Sequence, residues 1–126
     1  MNRFKVQKNY IQKEANNGSV YLFCDEFTNW NDTEIGIKSI QLLQALKYDV
    51  KLIKHPESGR AAISKGLLLR ARKMANSNVR IFKDLINEDI PLVGIEPSAI
   101  LSFRDEYPKI VDKANIEAAK NISKNT

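Results

Sequence analysis

Three short apolar segments, separated by stretches of helical length, constrain the fold of this chain most strongly. Residues 20–24 form a continuous apolar run, typical of a strand that is covered on both faces. Residues 50–54 alternate more, and residues 91–95 begin with a proline, which a strand tolerates at its first position. Apolar residues recur at helical spacing over residues 37–47 and 67–87. This order predicts an α/β fold in three layers: a small parallel sheet of three or four strands with helices on both faces.

Smaller signals divide the chain further. Asn31 predicts the start of the first helix, with Glu34 placed three residues on to reach back. Gly66 predicts a break between a short turn and a long helix. A short helix is expected at residues 99–103, and Pro108 is expected to interrupt it before a polar C-terminal helix. The expected division is a linker or arm over residues 1–18, the α/β domain over 19–110, and a polar tail, or the start of a continuing chain, over 111–126.

Composition excludes several kinds of protein. The 126 residues suffice for one domain, no apolar run approaches the ~18 residues of a membrane helix, and no secretory signal opens the chain, so a cytoplasmic location is expected. The single cysteine, Cys24, excludes an intrachain disulfide and a site built from several thiolates. The net charge of +5 is carried by residues 1–18 and 109–126, because residues 19–108 hold twelve charges of each sign. Basic ends are typical of solvated tails, so no nucleic-acid partner is expected.

The loops that follow the three strands contain the candidate site. The carboxyl ends of parallel strands meet at one edge of a sheet, and ligands bind beyond that edge. Arg104 joins the set because a guanidinium suits bidentate contact with a carboxylate. The candidate binding or interface residues are Cys24, Asp25, Thr28, Asn29, Glu57, Ser58, Gly59, Arg60, Glu96, Ser98 and Arg104.

Several of these residues also have a simpler structural interpretation. Asp25 can cap a turn, Ser58 and Ser98 can cap helices, and Cys24 can be a small buried hydrophobe. The single histidine, His55, is expected to be an exposed loop residue. No Gly-x-Ser-x-Gly motif and no glycine loop after the first strand are present, which disfavours a serine hydrolase and a dinucleotide-binding domain. Residues 58–60 form a helix start that could hold a small anion.

Four stretches of the sequence, spread over about residues 19–110, form a familiar combination. They are Leu22-Phe23-Cys24-Asp25-Glu26-Phe27-Thr28-Asn29, Ser58-Gly59-Arg60, Glu96-Pro97-Ser98 and Phe103-Arg104-Asp105-Glu106-Tyr107-Pro108. Together they resemble the C-terminal cysteine-rich "CCG" domain of FAD-linked oxidases of the D-lactate dehydrogenase or glycolate oxidase iron–sulfur type. Related domains occur in the iron–sulfur subunit of glycerol-3-phosphate dehydrogenase and in heterodisulfide reductase.

The departures from the family determine what the resemblance implies. The family's Cys-Cys-Gly falls on Glu57-Ser58-Gly59, and the cysteine that usually follows Glu-Pro-Ser falls on Ala99. Iron–sulfur clusters depend on soft, anionic thiolates, so the resemblance implies no cluster, no metal site and no catalytic residue in this domain. It implies instead an accessory domain excised from a larger FAD-linked oxidoreductase that acts on a 2-hydroxy acid. Whether the chain alone is an enzyme stays open.

The resemblance also implies cofactors and partners outside the chain. FAD is expected in the parent chain, and whether an iron–sulfur cluster accompanies it there is left open. The expected partners are the flavin and iron–sulfur modules of the same parent chain, and an electron-transfer partner is left open. No transmembrane segment is expected, and the cytoplasmic location leaves room for peripheral membrane attachment through the parent protein. The alternative function is a stand-alone module that binds a small anion at the Ser58-Gly59-Arg60 helix start.

Overall fold

A three-stranded parallel sheet organises residues 16–126, the part of the chain that this computed structural model describes. The strands are β1 (Ser19–Phe23), β2 (Asp49–Lys51) and β3 (Leu92–Gly94), in the order β2-β1-β3. Val20 pairs with Val50 on one side of β1, and Leu22 pairs with Val93 on the other. The predicted α/β fold with a small parallel sheet is confirmed.

Helices connect the strands and follow the last of them. One pair lies between β1 and β2, a second pair lies between β2 and β3, and the remainder follow β3. A π-helical turn, Ser102–Glu106, and a 3₁₀ turn, Lys113–Asn115, complete the structure. The α-helices are α1 (Glu26–Trp30), α2 (Thr33–Ala45), α3 (Arg60–Ser64), α4 (Leu68–Phe82), α5 (Pro97–Leu101), α6 (Tyr107–Ile110) and α7 (Ile116–Lys124).

The central strand β1 separates two cores because its side chains alternate between the two faces of the sheet. Phe23 lies in the larger core, where its ring contacts Phe103 at a centroid distance of 4.9 Å. Leu22 and Cys24 lie in the smaller core, against Ile40 of α2. The continuous apolar run of β1 is explained by this double burial, and the two cores make the three layers that the sequence predicts.

The C-terminal residues belong to the larger core. Ala119 and Ile122 of α7 are buried there, and the N–H of Leu92 donates to the carbonyl of Asn125 at 2.9 Å. Part of the segment expected as a polar tail over residues 111–126 is therefore a packed helix, and the alternative expectation, the start of a continuing chain, stays a prediction. This segment is rich in lysine and asparagine, so its overall composition is polar. Ile116, Ala119 and Ile122 nevertheless recur every three residues, which places apolar side chains on one helix face.

The division of the chain otherwise stays a prediction. Most of the linker or arm expected over residues 1–18 lies outside the described residues. At its end, the N–H of Asn17 donates to the carbonyl of Lys47 at 3.1 Å.

Three element boundaries differ from those predicted. The segment expected as a polar loop contains α1, so Asn31 ends that helix and Asp32 begins α2. The long helix α4 ends at Phe82, before the predicted end at residue 87. The predicted break at Gly66 is present. The helical path also continues through Pro108 to Ile110, because the π-helical turn lets the N–H of Tyr107 reach the carbonyl of Ser102. Pro108 has no N–H of its own to place in that ladder.

Candidate functional site

A cleft of about 230 Å³ lies at the carboxyl ends of β1 and β2. The loops after these two strands and helix α1 form its walls. Three of its residues, Cys24, Asn29 and Glu57, belong to the candidate set, and Cys24 and Asn29 are buried. The complete lining is Cys24, Glu26, Asn29, Trp30, Lys54, His55, Pro56 and Glu57.

Asp25 and Thr28 cap a helix. The Asp25 carboxylate is buried and accepts hydrogen bonds from Thr28 N at 2.8 Å and from Thr28 Oγ1 at 2.7 Å. This is the arrangement of an N-cap, which satisfies N–H groups at the start of α1. Neither side chain lines the cleft, so these two candidates position α1 rather than a ligand.

Ser58 is the most connected residue of the site, and it is completely buried. Its N–H and its Oγ donate to the two carboxylate oxygens of Glu26, at 3.1 Å and 2.7 Å. The same Oγ accepts from the N–H of Arg60 at 3.1 Å. The hydroxyl is thus used as donor and as acceptor. The carboxylate of Glu26 is bound where a small anion was expected.

Two buried side chains hold the same loop from beneath. The hydroxyl of Tyr107 donates to the carbonyl of Ser58 at 2.6 Å. The amide of Asn78 donates to the Tyr107 hydroxyl and to the carbonyl of Glu57, both at 3.0 Å. Burial raises the pKa of Tyr107 well above its ordinary value, so the phenol stays protonated and remains a donor.

Gly59 completes the loop because of its backbone conformation. Its φ is +82°, in the left-handed region that side chains other than glycine rarely adopt. It immediately precedes α3, so the chain turns from the buried Ser58 into the helix at this point. The left-handed backbone conformation therefore explains the glycine at this position without a ligand.

Arg60 and Arg104 have different surroundings. Arg60 pairs with Glu106, with an Nη1–Oε1 distance of 2.9 Å, and its Nε donates to Ser64. Arg104 is exposed and contributes its carbonyl, which accepts from Ser123 Oγ at 2.8 Å. Within residues 16–126 no ion pair includes Arg104. The expected pairing of Arg104 with a carboxylate of the candidate set is not formed there; the arginine that forms an ion pair is Arg60, and its partner Glu106 lies outside that set.

Glu96 and Ser98 form the third loop. The Glu96 carboxylate accepts from Ala99 N at 2.7 Å and from Ser98 Oγ, and it caps α5. Burial acts to raise the pKa of Glu96, but hydrogen bonds from Ser98 and Ala99, with the charge of Arg60, lower it overall. The Ser98 hydroxyl is therefore a donor within its own turn.

His55 is a site residue that the sequence interpretation missed. It is half-buried, and its ring stacks on Phe23 at a centroid distance of 4.1 Å. Nε2 accepts from Cys24 N at 3.2 Å, and Nδ1 lies 2.7 Å from the carbonyl of Pro56. This pattern places the proton on Nδ1 of a neutral ring. Burial lowers the pKa of His55, against smaller opposing effects of the Pro56 carbonyl and of Glu26 and Asp25.

The residues at the cysteine positions of the resembling family do not fit an iron–sulfur cluster. Of the positions that correspond to cysteines in the resembling family, Glu57 is exposed, Ser58 is fully engaged in hydrogen bonds, and Ala99 has no donor atom and is buried. Across the described part of the chain, no three His, Cys, Asp or Glu side chains are grouped as metal ligands. Oxygen atoms already bound to N–H and O–H groups are poor substitutes for thiolates.

Curated proteins similar to this chain are dehydrogenases and one component of a dehydrogenase. D-2-hydroxyglutarate dehydrogenase of Haemophilus influenzae is 29% identical over 97 residues, which are 77% of this chain and 9% of that protein. The protein of the same name from Pantoea ananatis is 26% identical over 114 residues, 90% of this chain and 11% of that protein. A subunit of the anaerobic glycerol-3-phosphate dehydrogenase of Escherichia coli is 30% identical over 98 residues, 76% of this chain and 25% of that protein.

These similarities cover a small part of each relative. The chain spans about a tenth of the length of the D-2-hydroxyglutarate dehydrogenases and a quarter of the glycerol-3-phosphate dehydrogenase component. The expectation of oxidoreductase relatives is confirmed at this level. No family model matches the sequence. No solved structure matches it. None of the helices described for residues 16–126 is long and apolar enough to cross a membrane.

Titration of His55 provides a test of its placement. Its pKa is lower in the fold than in the unfolded chain, where it is about 6.5. The unfolded state therefore binds the proton first as the pH falls, and the free energy of unfolding decreases from about pH 6.5 downward. We expect a His55→Gln variant to lose this slope between about pH 7 and pH 5, measured by urea unfolding at a series of pH values. An unchanged slope would contradict the neutral, buried ring, since the sequence has one histidine.

Removal of the Glu26 carboxylate tests the contact with Ser58. In Glu26→Ala the buried N–H and hydroxyl of Ser58 lose their acceptors, and we expect the free energy of unfolding to decrease by about 1–3 kcal/mol. Glu34→Ala is the matched control, because Glu34 is an exposed carboxylate on α2 whose one ion pair within residues 16–126 is with Lys38. The control should change by no more than about 0.5 kcal/mol. Equal effects of the two substitutions in urea unfolding would show that Glu26 has no special role.

Proposed function

We propose that the chain functions as an accessory module of a larger FAD-linked oxidoreductase that acts on a 2-hydroxy acid. The observation that carries this proposal is the extent of the matches to D-2-hydroxyglutarate dehydrogenases. They include 77% and 90% of this chain but only 9% and 11% of the two proteins. The substrate class follows from their name, and FAD follows from the resemblance to the CCG domain. The module is proposed to be a CCG-like domain whose cysteines have been replaced.

The chemistry of the strand-end edge supports a structural role rather than a catalytic one. Hydrogen bonds within the fold engage the Ser58 hydroxyl, the Asp25 carboxylate and both ring nitrogens of His55. A nucleophile needs a neighbouring base that can accept its proton, and these groups are held by other partners. The module packs or docks the redox modules of the parent enzyme, and electron transfer takes place at cofactors outside it.

The module is also proposed to bind no iron–sulfur cluster of its own. The support is the substitution of the expected thiolates by Glu57, Ser58 and Ala99, in a corner where Glu26 and Tyr107 bond Ser58 directly. In this proposal, hydrogen bonds within the protein cross-link this corner. In metal-binding domains, metal–thiolate bonds provide that cross-linking. Its partners are the flavin and iron–sulfur modules of the parent, in the cytoplasm or at the membrane periphery.

A stand-alone anion-binding module is the second candidate, and the Ser58 geometry disfavours it. The N–H and hydroxyl of Ser58 that would receive an anion already bind the two oxygens of Glu26. A free phosphate would have to displace a tethered carboxylate, which competes at high effective concentration.

The genomic surroundings of the coding sequence test the accessory role. We expect a coding region for a flavin-binding domain, either in frame with this segment or in a neighbouring gene of the same operon. Long-read sequencing of the source genome, with the transcript mapped across the segment, provides the measurement. A monocistronic transcript that encodes no flavin-binding region would contradict the proposal.

A further inference from the structure

The charges of residues 19–108 are strongly separated along the chain, although they sum to zero. Residues 60–83 contain seven Lys and Arg residues and no Asp or Glu. The rest of the interval 19–108 therefore carries the compensating negative charge. Two of the seven are engaged in the fold: Arg60 pairs with Glu106, and Arg72 donates to the carbonyl of Ile110 at 2.9 Å. The other five are exposed, and no ion pair among residues 16–126 includes them: Lys65, Arg70, Lys73, Arg80 and Lys83.

Three consecutive leucines lie within this basic surface. Leu67, Leu68 and Leu69 are 48%, 58% and 81% exposed, at the turn where Gly66 leads into α4. Single exposed leucines are common on proteins, whereas a contiguous apolar patch with a charged rim is typical of an interaction site. The buried face of α4 is formed by other residues, such as Ala71 and Ala75. The three leucines therefore do not contribute to the core.

Three clefts adjoin along this surface. A cleft of about 120 Å³ shares Leu67 and Arg70 with a second of about 470 Å³, which is lined by residues 66–70. Leu69 also lines a third cleft of about 310 Å³, which continues along α4 to Arg80. Together they form a trough with leucines along it and basic side chains beside it, and one acidic residue lies in each outer cleft, Glu57 in the first and Asp112 in the third. We call this trough, lined mainly by residues 65–80, the α4 groove.

We propose that the α4 groove binds an acidic segment of another protein that presents apolar side chains between carboxylates. Charge complementarity supports the choice of occupant, because four exposed cations that form no ion pair within residues 16–126 line the same clefts as the leucines: Lys65, Arg70, Lys73 and Arg80. A groove also suits a polypeptide segment better than it suits a flat bilayer. Duplex DNA would satisfy the cations but leave the leucines unmatched. Residues 1–15 of the same chain are excluded by their net charge of +3. The inference does not depend on the oxidoreductase proposal.

The test uses the full chain and a defined peptide probe. The probe is a fluorescein-labelled peptide of glutamate and leucine with leucines at helical spacing, and binding is measured by fluorescence anisotropy at physiological salt. We expect Leu68→Ser/Leu69→Ser and Arg70→Glu/Lys73→Glu each to weaken binding about tenfold. Thermal melts should be unchanged, because these side chains are exposed. The matched control is Leu42→Ser/Leu46→Ser, which removes leucines that are 61% and 51% exposed on or next to α2, on the opposite face of the sheet.

The alternative occupants are distinguished in the same experiment. Equal binding of a peptide in which serine replaces every leucine would overturn the proposal, since only charge would then be recognised. Binding to phosphatidylserine vesicles or to duplex DNA, lost in the groove variants while the peptide fails to bind, would also overturn it. Self-association in sedimentation velocity that the groove variants abolish would identify a second copy of this chain as the occupant instead.

Discussion

The buried Ser58 is the point on which the strand-end edge depends. Its N–H and Oγ donate to Glu26, its Oγ accepts from Arg60, and its carbonyl accepts from Tyr107. Helices α1, α3 and α6 are thereby tied to one residue of the loop after β2, and Asn78 adds α4. Leaving a buried polar group without a hydrogen-bond partner costs more free energy than forming the hydrogen bond gains. The arrangement is therefore specific: each of these helices has to be in place for Ser58 to be buried.

Many of the candidate residues at the strand-end edge form hydrogen bonds within the fold. Their positions in the loops suggest ligand contacts, but these side chains bind other groups of the protein. Asp25 and Glu96 cap α1 and α5, and Glu26 fills the helix start at Ser58. The remaining open feature at the edge is the cleft beside Cys24 and His55. A surface with several exposed cations that form no ion pair within residues 16–126 lies elsewhere, along α4.

The sequence predicts the parts of the fold that repeat along the chain. The strands follow from their apolar runs, and the break at Gly66 follows from its backbone freedom. Contacts between distant residues are not predicted in the same way. Nothing near His55 in sequence indicates that its ring stacks on Phe23, and Asn78 interrupts an apolar helix face without revealing that it reaches Tyr107. The net charge of a long segment also does not show how its charges are distributed. Residues 19–108 sum to zero, although residues 60–83 within them are strongly basic.

If hydrogen bonds rather than a metal hold the corner around Ser58, the purified chain should take up no iron–sulfur cluster. The test is anaerobic incubation of the chain with ferrous iron and sulfide, followed by desalting, iron analysis and visible spectroscopy. A bacterial ferredoxin treated in parallel provides the positive control, and a Cys24→Ser variant removes the single thiol. We expect no stoichiometric iron and no visible absorbance for the chain or the variant. Stoichiometric iron with visible absorbance, lost in Cys24→Ser, would contradict it.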